Sequence, residues 1–186
     1  MRLENSFEVP ASPDAAWDLL LDVPRVVPCM PGAELTEVVD DSNWKAKIAV
    51  KLGPVSLTFG TDVKLVDADE AARKVTLSAD GRELRGRGAA RATVESSLAS
   101  VNGGTRVDIV TELRLTGPAA QYGRGLVADV SSQLIDRFAE CLKAQLDTAE
   151  PARAEEAVAE AAKPAGGLRL GLAAIWRSIR RLFSRG

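Results

Sequence analysis

One change of period constrains this chain more than any other feature. From about residue 33 to residue 115 apolar side chains recur at every second position, and after Gly117-Pro118 they recur at every 3.6. In the first region Ala46, Ile48, Val50 and Leu52 share a face. After the Gly53-Pro54 turn Val55, Leu57, Phe59, Thr61, Val63 and Leu65 do the same. Val75, Leu77 and Ala79 predict a shorter strand, with Asp80-Gly81 as its turn. Asn102-Gly103-Gly104 is a hairpin signal, and Val107, Ile109, Thr111, Leu113 and Leu115 follow on one face. Val127, Val130, Leu134, Phe138 and Cys141 or Leu142 then form the stripe of a long helix ending near Leu146. A sheet with one apolar face and a helix with one apolar stripe each need a partner, and each supplies the other's.

The N-terminal residues complete the pattern. Leu3, Phe7 and Val9 alternate beside Asn5, which predicts a first strand. Ser12-Pro13-Asp14 supplies an N-cap, a proline at the first helical position and an acid in the first turn of a helix to about Asp22. Prolines 24, 28 and 31 limit the next stretch to a short second helix or an irregular loop. The expected fold is α+β: a strand, two short helices, a curved antiparallel sheet of about six further strands, and a long helix gripped by the sheet. This is the helix-grip arrangement. The domain spans 1–147. Residues 148–167, rich in Ala, Glu, Pro and Gly, read as a flexible linker without the apolar mass for a core. Residues 168–186 read as an amphipathic basic tail.

What the composition lacks narrows the chemistry. The chain has no histidine, which removes Ser–His–Asp and Cys–His nucleophiles and every zinc site that uses histidine. Its two cysteines, Cys29 and Cys141, could form one disulfide but not a four-thiolate site. No catalytic or metal-binding constellation is expected, and no catalytic cofactor. From Lys163 onward there are six basic residues and no acid, so the preceding residues carry 18 basic against 26 acidic groups, or −8. That balance disfavours nucleic acid as a partner of the domain. No apolar run approaches the roughly 20 residues of a bilayer span, and the expected location is cytoplasmic.

The interior is expected to be hollow. Read as one strand, 82–95 places Leu84, Gly86, Gly88, Ala90, Ala92 and Val94 on a single face, four of them successively glycine or alanine. Glycine weakens a strand and needs a reason. Either something other than side chains fills the space, or a bulky helix packs close. With only eight aromatic residues in the chain, an apolar cavity is the expectation, its candidate walls being Trp17, Met30, Leu57, Phe59, Gly86, Gly88, Ala90, Ala92, Leu115, Tyr122, Leu126, Val130 and Leu134. Trp17 also suits the core, and Met30 lies in the proline-bounded loop that could cover the cavity. Asp62 or Arg124 could hold a ligand's polar group, with a solvated charge at an element's end the simpler reading.

The tail carries its own pattern. On a helical wheel Leu168, Leu172, Ile175, Trp176, Ile179, Leu182 and Phe183 fall within about 120° of arc, with Arg169, Arg177, Arg180 and Arg181 to one side. That profile suits a helix lying in a membrane interface. A groove on a partner protein or on the domain itself are the alternatives.

The segments VPASPDAAWDLLLDVPRVVPCMPGAE, KLGPVSLTFGTDVKLVD and GGTRVDIVTELRLTGPAAQYGRGLVADVSSQLIDRF, with their order and spacing, resemble the G-subunit family of carbon monoxide dehydrogenase, within the START-like, helix-grip superfamily. The likeness covers residues 1 to about 146. It implies an accessory protein of a molybdenum-containing carbon monoxide dehydrogenase, or of a related molybdenum hydroxylase. It further implies recruitment of that enzyme to the inner face of the cytoplasmic membrane. It names a ligand too, a respiratory quinone and menaquinone in particular. The alternatives are a recruiting adaptor without ligand, or a cyclase or hydrolase of the same superfamily. The resemblance transfers no catalytic motif.

Overall fold

A computed structural model describes the backbone of residues 1–86 and 88–161 and the side chains of 1–86 and 88–147. Seven strands form one antiparallel, curved sheet: β1 (Arg2–Val9), β2 (Ala33–Asp40), β3 (Asn43–Leu52), β4 (Val55–Asp69), β5 (Lys74–Glu83), β6 (Ala89–Val101) and β7 (Gly104–Leu115). Their order in space is β1-β7-β6-β5-β4-β3-β2. Strands β2 to β7 are a meander of successive hairpins, and β1 pairs with β7, Phe7 opposite Val107. Between β1 and β2 lie α1 (Pro13–Leu21), α2 (Val23–Val26) and a 3-10 turn at Val27–Cys29. A second 3-10 turn at Gly117–Gln121 leads into α3 (Arg124–Ala161).

Local chemistry sets these elements as the sequence suggests. The Ser12 hydroxyl accepts a hydrogen bond from the Ala15 amide at 3.2 Å, and Pro13 begins α1 where no amide donor is required. Leu3, Phe7 and Val9 point inward with Asn5, whose Nδ2 donates to Ser131 Oγ of α3 at 3.2 Å.

Two expectations fail at the centre of the sheet. Asp80 and Gly81 are not a turn but part of β5, where they pair with Arg91 and Ala90 of β6. Residues 82–95 are not one strand, because β5 ends at Glu83 and a tight turn precedes β6. The Gly86 amide donates to the Glu83 carbonyl at 2.9 Å, and the Glu83 amide donates to the Gly88 carbonyl at 3.0 Å. Gly86 (φ 73°) and Gly88 (φ 142°) adopt backbone conformations that other residues rarely reach, and a Cβ on Gly88 would lie 2.3 Å from the Thr116 carbonyl oxygen. These glycines make the turn.

The third difference is the length of α3. The helix continues beyond Leu146 to Ala161, through the first part of the expected linker. The alanines and glutamates that deprive this segment of a core are strong helix formers. The compact unit itself comprises Met1–Thr148. The rest of the linker and the whole amphipathic tail, Leu168 to Phe183, lie outside the described residues.

The solid core occupies one end of the sheet. There Phe138, Leu142 and Leu146 of α3 meet Trp17, Leu19, Val75, Leu98, Val107 and Ile109. Phe7 and Phe138 meet edge to face with centroids 6.0 Å apart. Arg73 lies over the Trp17 ring, 5.6 Å from its centroid, and pairs with Asp14 of α1. A Cys29–Cys141 disulfide ties the first 3-10 turn to α3 with a Cα separation of 5.4 Å.

Trp17→Ala should therefore lower unfolding stability by about 3–5 kcal/mol, read from urea denaturation. Cys141→Ser, which opens a loop spanning 112 residues of sequence, should lower it by about 2–4 kcal/mol. Reduction of the wild-type protein should have the same effect and should not further destabilise the variant.

Candidate functional site

At the other end of the sheet the side chains are too small to reach α3. The hairpin registers align them: Gly81 of β5 stands opposite Ala90 of β6, and Ala79 opposite Ala92. On one flank Thr61 of β4 faces Gly81, and on the other Leu115 and Leu113 of β7 face Ala90 and Ala92. Above this patch α3 presents Val127, Val130, Ser131 and Leu134, a stripe at i, i+3, i+4 and i+7. Between them lies a cavity of about 260 Å³. Leu3, Thr111, Ile48, Val50, Leu52, Phe59 and Ala119 complete its walls.

The chemistry of the cavity is uniform. None of its lining residues carries an ionisable side chain, and Thr61, Thr111 and Ser131 contribute its only side-chain hydroxyls. The Ser131 hydroxyl is already the acceptor for Asn5. Such a surface can desolvate an apolar molecule but offers neither a general acid nor a general base. No group of three or more metal-ligating side chains occurs among the described residues.

The expected wall residues divide into five sets. Phe59, Ala90, Ala92, Leu115, Val130 and Leu134 line the cavity. Leu57 and Tyr122 belong to the cluster closing its end, with Leu52, Phe59 and Ala119. Trp17 and Met30 lie in the solid core instead, because α1 and the proline-bounded turn pack beside Phe138 rather than over the small-residue patch. Gly86 and Gly88 are in the β5–β6 turn, and their neighbour Leu84 is 59% exposed. Leu126 is one helical step off the inner stripe and lines a second, outer pocket with Val130 and Leu134. Asp62 is exposed on the opposite face of β4 from Thr61. Arg124 Nη2 donates to the Arg2 carbonyl at 3.1 Å.

Twelve of the eighteen lining residues are not among the expected walls, and of these Ala79 and Gly81 belong to the small-residue patch. The signal was present: the alternation Val75, Leu77, Ala79, Gly81, Glu83 runs unbroken through the Asp-Gly pair. Gly81 leaves little room for a side chain, since a Cβ there would lie 3.0 Å from Thr61 Oγ1 and 3.2 Å from Phe59 Cβ.

The fold recurs among solved structures. A conserved protein from Geobacillus kaustophilus matches with a TM-score of 0.70 at 19% identity, over 80% of this chain and 96% of that one. The Zhui aromatase/cyclase from Streptomyces sp. R1128 matches with a TM-score of 0.56 at 14% identity, over 79% and 93%. A START superfamily protein from Mycobacterium smegmatis matches with a TM-score of 0.53 at 14% identity, over 79% and 97%. Comparison with curated proteins gives no match. The profile of the family described as CoxG, the G subunit of carbon monoxide dehydrogenase, matches residues 6–147, from within β1 through the part of α3 that covers the cavity, and the chain belongs to that family.

Proposed function

We propose that this protein is a non-catalytic carrier that holds a respiratory quinone, menaquinone in particular, in the cavity under α3. Its basic tail tethers it to the inner face of the cytoplasmic membrane, and its domain links a molybdenum carbon monoxide dehydrogenase to that membrane and the respiratory chain. The observation that carries the reading is the cavity of about 260 Å³ with no ionisable wall residue, in a member of the CoxG family. Apolar walls favour an apolar ligand in proportion to the area withdrawn from water, about 25 cal/mol per Å². Peripheral attachment is compatible with the described residues, among which no helix is long and apolar enough to cross a membrane. The enzyme partner rests on family membership alone.

A catalytic reading has one point in its favour, since an aromatase/cyclase shares the fold at a TM-score of 0.56. Fold does not carry function, however, and hydroxyls without a titratable neighbour make a weak acid–base apparatus.

Organic extraction and native mass spectrometry of the full chain purified from its own membranes test the carrier. A quinone should co-purify with the wild type. Ala92→Leu, which adds three carbons to the cavity wall, should abolish it while leaving the melting temperature unchanged or raised. Retention of quinone by Ala92→Leu would remove the cavity as its site, and an empty wild type would leave a recruiting adaptor. For the tether, the full chain should co-sediment with vesicles containing phosphatidylglycerol. Replacing Arg177, Arg180 and Arg181 by Glu should cut that binding more than tenfold, at about 1 kcal/mol per basic residue near an anionic surface. Unchanged binding would retire the tether.

A further inference from the structure

We propose that the carrier holds its ligand tail first, with an oxygen-bearing head in the outer pocket between Lys51 and Arg137. This rests on the carrier reading and adds to it a second subsite and a direction.

The inner cavity cannot serve the whole of a long amphiphile. Its volume of about 260 Å³ lies below the ~300–1,000 Å³ common for pockets that enclose a drug-sized ligand. It also holds no side chain with a hydrogen-bond donor other than three hydroxyls, and no charged group. A quinone or carboxylate head placed there would lose its hydration with little in return.

The outer pocket has the complementary chemistry. Its volume is about 530 Å³, and it shares Val50, Val130 and Leu134 with the inner cavity. The two therefore adjoin along α3, and in this proposal the ligand's chain runs from one to the other past these three side chains. Around the outer pocket stand Lys51 from the end of β3 and Gln133 and Arg137 from α3. Lys51 and Arg137 are exposed, and neither side chain takes part in an ion pair or hydrogen bond among the described residues, whereas Lys45 and Arg91 elsewhere on the sheet are each paired with an acid. Two uncommitted cations and an amide beside an apolar passage suit a head with acceptor oxygens, either carbonyl or carboxylate. The order of affinities follows from this division, with the tail binding inside by desolvation and the head outside by charge-assisted hydrogen bonds.

The test uses the full chain and three probes, dodecanoate, dodecanol and a short-chain menaquinone, titrated by calorimetry at low salt. Dodecanoate should bind about tenfold more tightly than dodecanol, the scale of two exposed charge contacts. Lys51→Glu/Arg137→Glu should remove that preference and leave dodecanol unchanged, and Lys51→Gln/Arg137→Gln should fall between. Raised salt should weaken dodecanoate alone. Weaker menaquinone binding in the same variants extends the subsite to carbonyl heads; loss confined to dodecanoate supports it for carboxylates. The inference is overturned if the two dodecyl probes bind equally and neither double variant changes any affinity. In that case binding that Ala92→Leu still abolishes leaves the carrier reading intact. If no probe binds the wild type, both readings fall together.

Discussion

The packing of α3 across the concave face of the sheet is the interaction on which the rest of the structure depends. One helix performs two tasks along its length. Phe138, Leu142 and Leu146 sit against Trp17, Val107 and Ile109, and this half is an anchor. Val127, Val130, Ser131 and Leu134 face Ala79, Gly81, Ala90 and Ala92 across open space, and this half is a roof. The roof cannot settle onto the patch because the anchor, the Cys29–Cys141 bond and the seven-strand ladder already set the height of the helix. A ligand lying against these apolar walls would withdraw them from water, at about 25 cal/mol per Å² of apolar surface.

The gradient of side-chain size along β5 and β6 decides where anchor gives way to roof. At the core end Val75 and Leu98 are buried in the solid cluster, and toward the β5–β6 turn the inward residues diminish to Ala79, Gly81, Ala90 and Ala92. Fold leaves this gradient's purpose open, since the same helix-grip frame is found in an aromatase/cyclase. Function on a shared frame is written in the lining. Here the inner lining holds hydrophobic side chains and hydroxyls, and Lys51 and Arg137 stand at the outer pocket.

Much of the frame is legible in the amino-acid sequence. The strands with four to six successive alternations, β3, β4 and β7, lie where the pattern puts them, and the cap at Ser12-Pro13 begins α1. The centre of the sheet misleads for a specific reason. Leu84, Gly86 and Gly88 keep the two-residue phase of Ala90 and Ala92, so the turn between β5 and β6 is invisible to a test of alternation. The positive φ values of Gly86 and Gly88 are what betray it. The same phase hides Ala79 and Gly81, and it assigns the hollow face to glycines that stand in a turn. Trp17 and Met30 pass for cavity walls because apolar character cannot tell a wall from a core.

By itself the sequence determined the periods: which residues share a face of a strand, where a helix begins, which residue types are missing and so which chemistries are closed. These are local properties, set within a few residues by side-chain alternation, caps and propensities. Only the tertiary structure decided which faces meet. The register of Gly81 with Ala90 and of Ala79 with Ala92 joins residues from separate strands into one patch. The crossing of α3 then determines whether that patch is filled or roofed. Both depend on contacts between residues far apart in the chain, and no local pattern encodes the distance left between a small side chain and the helix above it.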